Sequence, residues 1–150
     1  MIQKEKIYRA REGAPITDSQ AQEYGKRIET LMKKNKGHIN PSEIVEDAKN
    51  KTSPYHNFFE WDNVKGAKLY RLQQARQLVE SIVIEVKING IEKPQRALVS
   101  VTIKEINQKA YVPLEIGITT KSYRQELLQK LKATLKNGGE LLDLIISYDS

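Results

Sequence analysis

Three polar side chains beside a group of aromatic residues are the part of this sequence that comes closest to a reactive site. His56, Glu60 and Asp62 stand near one another in the chain, and carboxylates with an imidazole can hold a divalent cation of the kind that nucleases use. Their spacing matches no ligand pattern that we can justify, and a helix-capping role explains Asp62 without a metal. The sequence contains no Ser-His-Asp order, glycine-rich phosphate loop or HExxH motif. It therefore predicts no catalytic residues, no metal site and no cofactor, and a protein that is not an enzyme.

Arg71 is the most informative single residue. In the helix that the spacing predicts over residues 63–80, Arg71 falls within the apolar stripe instead of opposite it. A buried guanidinium without a partner is strongly unfavourable, so Arg71 needs a carboxylate, and Glu60 and Asp62 are the nearest. We predict a structural ion pair of Arg71 with Glu60 and Asp62, and we favour it over an arginine held ready for phosphate binding.

Basic residues outnumber acidic ones, with 25 Lys and Arg against 19 Asp and Glu and a net charge of +6. A surplus of this size supports modest, salt-sensitive binding to phosphates and not tight sequence recognition. Lysines near helix C-termini also complement the helix dipole, which explains Lys33, Lys34 and Lys36 without any ligand. The hypothesis of a nucleic-acid-binding surface rests on the following residues: Lys4, Lys6, Arg9, Arg11, Lys33, Lys34, Lys36, Lys65, Lys68 and Arg76.

The composition limits the class of protein. A chain of 150 residues suits one domain, and 39% hydrophobic residues in clear patterns exclude a disordered chain. The absence of cysteine excludes a disulfide scaffold, a thiolate zinc site and a cysteine nucleophile. The N-terminus has no apolar signal core, and no apolar run approaches the roughly 18 residues of a membrane-spanning helix. We therefore expect a soluble, intracellular protein without membrane contact.

Helices are predicted throughout the N-terminal half. Residues 1–16 carry several basic side chains and are interrupted by glycine and proline, which predicts a flexible or strand-like basic arm before a single domain over 17–150. Capping boxes at Thr17 and Asn40 mark helix starts. Apolar residues then recur at helical spacing. We predict three helices, over about residues 18–36, 41–50 and 63–80, of which the last is the longest.

Aromatic residues are concentrated just ahead of the third predicted helix. Four of the ten aromatic residues fall in this short stretch, and such a density is typical of a core and not of a base-stacking surface. We name these residues the aromatic cluster and predict that they anchor the core: Tyr55, Phe58, Phe59 and Trp61.

The hydrophobic period changes from helical to alternating after residue 80. β-Branched residues over 81–88 predict a strand, and Asn89-Gly90 predicts a tight turn. We place Pro94 in the connection to a second strand over 97–104. A third strand is predicted over 111–115.

Two further helices are predicted within residues 120–148, from leucine spacing and from an apolar stretch near the C-terminus. The order of elements predicts an α+β fold, with a helix-turn-helix-like bundle over 17–80, a small antiparallel sheet over 81–115 and C-terminal helices. Three helices followed by a hairpin over 82–104 also have the outline of a winged helix-turn-helix, in which the hairpin is the wing.

Several motifs in this order resemble a known family. They are N-P-S-E-I-V-E-D-A at 40–48, S-P-Y-H at 53–56, F-F-E-W-D at 58–62, and Y-R followed by Q-A-R within 70–76. Over roughly residues 17–136 the chain resembles small, mostly uncharacterised proteins encoded by tailed bacteriophages and prophages. The resemblance implies a phage origin and a place in the host bacterial cytoplasm, and it implies no particular chemistry.

Two hypotheses of different classes follow. The first is a phage-encoded, non-enzymatic accessory protein that contacts DNA through its basic helices and arm. The alternative is a protein–protein interaction module that binds a host or virion protein, or forms a homodimer through its C-terminal helices, and has no nucleic-acid role. The distribution of charge discriminates between them. A continuous positive face favours DNA, whereas scattered lysines beside an apolar groove favour a protein partner.

Overall fold

Five α-helices and two small antiparallel sheets make up the part of the chain that the structure, a computed structural model, describes: residues 6–62, 67–133 and 145. The helices are α1 (Asp18–Lys34), α2 (Pro41–Ala48), α3 (Ala67–Glu80), α4 (Leu114–Thr119) and α5 (Lys121–Ala133). The strands are β1 (Arg9–Ala10), β2 (Ile82–Ile88), β3 (Ile91–Arg96), β4 (Leu98–Ile103) and β5 (Gln108–Pro113). A 3-10 turn spans His56–Phe58. This order confirms the predicted α+β class.

Both predicted capping boxes are present and fix the starts of α1 and α2. The Thr17 hydroxyl accepts a hydrogen bond from the Gln20 N–H at 3.1 Å, and the Gln20 side chain accepts one from the Thr17 N–H at 2.9 Å. Asn40 and Glu43 form the same reciprocal pair at 2.9 and 3.0 Å. Each box satisfies two backbone donors that the first turn of a helix leaves without partners.

The first sheet has the order β1-β2-β3, and its hairpin differs from the predicted one. Asn89 and Gly90 form the expected tight turn with φ of 53° and 82°, but β2 pairs with β3, the segment that the sequence analysis had assigned to a connection. Pro94 lies inside β3 opposite Glu85. Ile88 and Ile91 form the hydrogen-bonded pair that closes the turn, and hydrogen-bonded pairs alternate from there along the two strands. Pro94 therefore falls in a non-hydrogen-bonded pair, where an N–H would point away from β2. Because β3 is at the edge of the sheet, this position tolerates proline.

The second sheet consists of β4 and β5, so the predicted wing over residues 82–104 is wrong. The two strands that were predicted to form the wing, β2 and β4, belong to different sheets. β4 pairs with β5, with Val101 opposite Ala110. The predicted third strand over 111–115 begins earlier, at Gln108, and ends at Pro113. The chain then enters α4, a helix that the sequence analysis missed because six residues with two isoleucines and a glycine give no helical period.

Both outer edges of the second sheet are covered by other parts of the chain. On the β5 side, Ile39 exchanges two backbone hydrogen bonds with Tyr111, at 2.6 and 3.0 Å. On the β4 side, Glu126 accepts a hydrogen bond from the Thr102 N–H at 2.9 Å, and Lys130 donates one to the Ser100 carbonyl at 3.0 Å. The side chains of α5 therefore take the place of a neighbouring strand, which protects the edge from pairing with another molecule.

Two groups of buried side chains form the core. The first joins α1, α2, α3 and β2 to the aromatic cluster, in which Tyr55 is fully buried, so the predicted role of this cluster is confirmed. The second joins β4, β5 and α4 to α5 through Leu127. Ile84 on β2 contacts both groups. The helix predicted near the C-terminus lies outside the described residues except for Ile145, which is helical and buried in the second group.

Candidate functional site

A charged group within the first core connects α1, α2 and the aromatic cluster. The Asp47 side chain, only 10% exposed, accepts two hydrogen bonds from the Arg27 guanidinium, at 3.1 Å from Nε and 2.5 Å from Nη2. The Tyr55 hydroxyl also donates to Asp47, and the Ser53 hydroxyl lies 3.4 Å from the same carboxylate. Four donors thus converge on Asp47, three of them on Oδ2, which is typical of a structural group and not of a reactive one.

The pKa values of this group follow from burial and hydrogen bonding. Burial acts to raise the pKa of Asp47, but the hydrogen bonds from Arg27 and Tyr55 outweigh it, and the net pKa is lowered from 3.8. For Tyr55, burial and the hydrogen bond to the Asp47 carboxylate both raise the pKa. Asp47 is therefore ionised and Tyr55 protonated over the whole physiological range.

Sequence reasoning missed this group, although a signal for it exists. Asp47 stands on α2 beside Ala48 and three residues after Ile44, at the edge of the apolar side of the helix. A carboxylate that borders an apolar stripe is a weaker form of the anomaly that singled out Arg71. Its partner Arg27 lies on α1, and the pairing follows from how the two helices are packed and not from their spacing in the chain.

Arg71 contacts Glu60 and Asp62 through their main chain, and the ion pair predicted with their carboxylates stays a prediction. The Arg71 guanidinium donates to the main-chain carbonyl oxygens of Glu60 and Asp62, at 3.0 and 3.3 Å. It also lies 5.1 Å from the centre of the Trp61 ring, a cation–π distance. Arg71 thereby fixes the chain after the aromatic cluster against α3.

The His56 side chain belongs to the same packing arrangement. Its ring is stacked on Trp61 with the centroids 5.1 Å apart, and its Nδ1 donates to the Ala48 carbonyl oxygen at 2.6 Å. Glu60 and Asp62 are exposed. Over residues 6–62, 67–133 and 145, no three His, Asp or Glu side chains are grouped as metal ligands.

The ten residues of the nucleic-acid hypothesis are placed in several different regions. Arg9 and Arg11 line a cleft on the first sheet, Lys34 lines a pocket with Glu43, Glu46 and Asp47, and Lys68 and Arg76 are exposed on α3. Lys4 and Lys65 lie outside the described residues. The remaining three border one groove: Lys6, Lys33 and Lys36.

This groove, which we name the lysine groove, lies between the C-terminal end of α1 and the β5–α4 segment and has a volume of about 660 Å³. One wall carries the three lysines, His38 and Glu29, and the other carries Glu115. Ile116 is 44% exposed and contributes aliphatic surface to the groove. The apolar lining consists of Met32, Val112, Pro113, Ile116 and Tyr123.

The N-terminal segment places Lys6 at the groove by packing on α1. The Tyr8 ring, only 4% exposed, lies on Gly25, where a Cβ atom would approach the ring carbons to 2.5 Å. Gln22 holds the backbone just before the ring, since it accepts from the Tyr8 N–H at 2.7 Å and donates to the Lys6 carbonyl at 3.0 Å. Residues 6–10 of the predicted arm are therefore attached to the fold.

The lining of the lysine groove carries one more positive than negative charge, since Lys6, Lys33 and Lys36 occur with Glu29 and Glu115. Glu29 accepts a hydrogen bond from the Tyr8 hydroxyl at 2.7 Å and lies 3.2 Å from the Lys33 ammonium. Burial acts to raise the pKa of Glu29, but these two contacts and the charge of Lys6 outweigh it and lower the pKa. The negative charge of Glu29 is thus balanced within its own wall, and Lys36 adds an exposed positive charge beside it.

No protein-family model, curated protein or solved structure matches this chain. The family resemblance of the motifs at 40–76 therefore stays a prediction. None of the helices in the described part of the chain is long and apolar enough to cross a membrane.

Replacing Asp47 by asparagine removes the charge opposite Arg27, and we expect the free energy of unfolding near neutral pH to fall by about 1–3 kcal/mol. Because the folded-state pKa of Asp47 lies below 3.8, its ionisation stabilises the fold above that value, and this contribution is lost as the pH falls through the folded-state pKa. Urea unfolding over a series of pH values measures the difference between the two proteins. A difference that grows on acidification would contradict the account, and the exposed Glu105→Gln variant is the control.

Replacing Gly25 by alanine forces the Tyr8 ring out of its contact with α1, with an expected cost of about 1–3 kcal/mol in unfolding free energy. A double-mutant cycle with Tyr8→Ala measures whether the cost belongs to this contact. In the Tyr8→Ala background, the alanine at position 25 should cost nothing or stabilise the helix. Additive effects of the two substitutions would show that the ring and the glycine are not coupled.

Proposed function

We propose that this chain is a non-enzymatic accessory protein that binds another protein through the lysine groove. The observation that carries the proposal is the position of Lys6, Lys33 and Lys36, which border a groove with an apolar lining. Exposed aliphatic surface in a concave setting is typical of sites that receive a side chain of a partner. A phage origin and a host cytoplasmic location, which the family resemblance implies, are part of the same proposal.

The charge distribution supports a protein partner over DNA. Duplex binding requires many phosphate contacts from one face, but several candidate cations lie next to carboxylates. Arg9 is 3.2 Å from Glu85, and Lys33 is 3.2 Å from Glu29. Lys34 shares its pocket with three acidic residues. These neighbours reduce the net charge that each cation presents to a phosphate backbone.

A peptide-display selection on the immobilised protein tests the proposal. We expect sequences that are enriched on the natural chain and lost on the Ile116→Ser variant, because the substitution removes the exposed aliphatic surface of the groove. Ile106→Ser is the matched control, since Ile106 lies in the β4–β5 turn and is 43% exposed against 44% for Ile116. Equal enrichment on all three proteins, or no enrichment, would contradict a peptide-binding groove.

DNA contact is the second candidate, and one observation favours it. Arg9, Arg11 and Arg96 line a single cleft of about 540 Å³ on the first sheet. Three guanidiniums in one cleft are suited to phosphate oxygens, although Glu12, Asp18 and Glu85 line it as well.

A fluorescence-polarisation titration with duplex and single-stranded DNA at low salt tests this candidate. If the protein-binding proposal is right, DNA binds only weakly, and the Arg11→Glu and Arg96→Glu variants change the affinity by less than about threefold. Binding in the low micromolar range that both substitutions abolish, and that weakens with salt, would instead establish the sheet cleft as a DNA site.

A further inference from the structure

We propose that the ligand of the lysine groove is an acidic peptide segment with one large aliphatic side chain between its carboxylates. This inference rests on the proposed function and specifies the chemistry of the partner. It follows from the two walls of the groove, which differ in what they offer to a ligand.

The wall formed by β5 and α4 is aliphatic. Pro113 and the exposed part of Ile116 face the groove together with Tyr123 of α5. Val112 and Met32 beneath them are already buried in the protein core, so the fold itself holds this surface in place. An aliphatic side chain placed there removes the remaining exposed surface of Ile116 from water, which is the main source of favourable free energy at such a site.

The wall formed by α1 and the N-terminal segment is cationic. Lys33 in the last turn of α1 is paired with Glu29 at 3.2 Å, so the positive charge that this wall offers to a ligand comes mainly from Lys36 and Lys6. The negative end of the helix dipole amounts to only about half a charge and does not cancel them. Lys6 enters from the other side because Tyr8 and Gln22 hold its backbone. Carboxylates on the ligand would therefore meet ammonium groups along one edge of the groove.

The same two walls argue against a nucleic acid in this groove. Bases are recognised by stacking on aromatic or guanidinium planes, whereas most of the apolar lining here is aliphatic. Glu115 on the α4 wall would repel a phosphate that approaches this wall. A peptide can place carboxylates on one side and an aliphatic group on the other, as the groove requires.

The test is fluorescence polarisation with a labelled nine-residue peptide that has a central leucine flanked by aspartate and glutamate. Two matched peptides replace the leucine by serine, or the acidic residues by their amides. We expect the first peptide to bind at least about fivefold more tightly than either control, and its affinity to fall with salt.

Protein variants locate the binding and complete the test. Lys36→Glu should weaken the acidic peptide by about fivefold and leave the amide peptide unchanged, and Ile116→Ser should weaken the leucine peptide by about tenfold. Lys51→Glu and Ile106→Ser, exposed substitutions outside the groove, should leave both unchanged. Circular dichroism of each variant verifies that it is folded.

The outcomes separate this inference from the proposed function. If the amide peptide or the serine peptide binds as tightly as the acidic leucine peptide, the inferred ligand chemistry is wrong. The proposed function still stands in that case, provided that the display selection yields sequences that depend on Ile116. If the display selection also fails, both are wrong.

Discussion

The interaction of Asp47 with Arg27 and Tyr55 holds the N-terminal half of this protein together. It connects α1, α2 and the aromatic cluster through one carboxylate, and a buried carboxylate is stable only when its partners are in place. This requirement fixes the position of α1 relative to α2. Because the last turn of α1 carries Met32 and Lys33, the same requirement fixes one wall of the lysine groove.

The groove itself forms where the two groups of the core meet. Met32 belongs to the first group and Val112 to the second, and both line the groove. Neither half of the chain forms the groove alone, since α1 and the N-terminal segment provide the cations and β5 with α4 provides the aliphatic surface. The backbone pairing of Ile39 with Tyr111 joins the two halves.

Local features of the sequence predicted local structure well, but they did not predict which strands pair with one another. The capping boxes at Thr17 and Asn40 and the Asn89-Gly90 turn were predictable because each depends on residues next to one another in the chain. The role of Pro94 was not, because a proline is tolerated in a strand only when that strand is at a sheet edge, and edge position depends on the complete topology. The groove was not predictable for the same reason. Its lysines were identified as basic residues, but Ile116 lies in a short helix without a periodic signal.

The most direct test of the account is the location of bound peptide by NMR. Amide chemical shifts of the isotopically labelled protein are recorded while the acidic leucine peptide is added. The account predicts that the largest changes occur at Lys33, Lys36 and Ile116, with little change at Arg9, Arg11 and Arg96. Changes concentrated at the sheet cleft, or an absence of changes at peptide concentrations near one millimolar, would contradict the claim that the lysine groove is a protein-binding site.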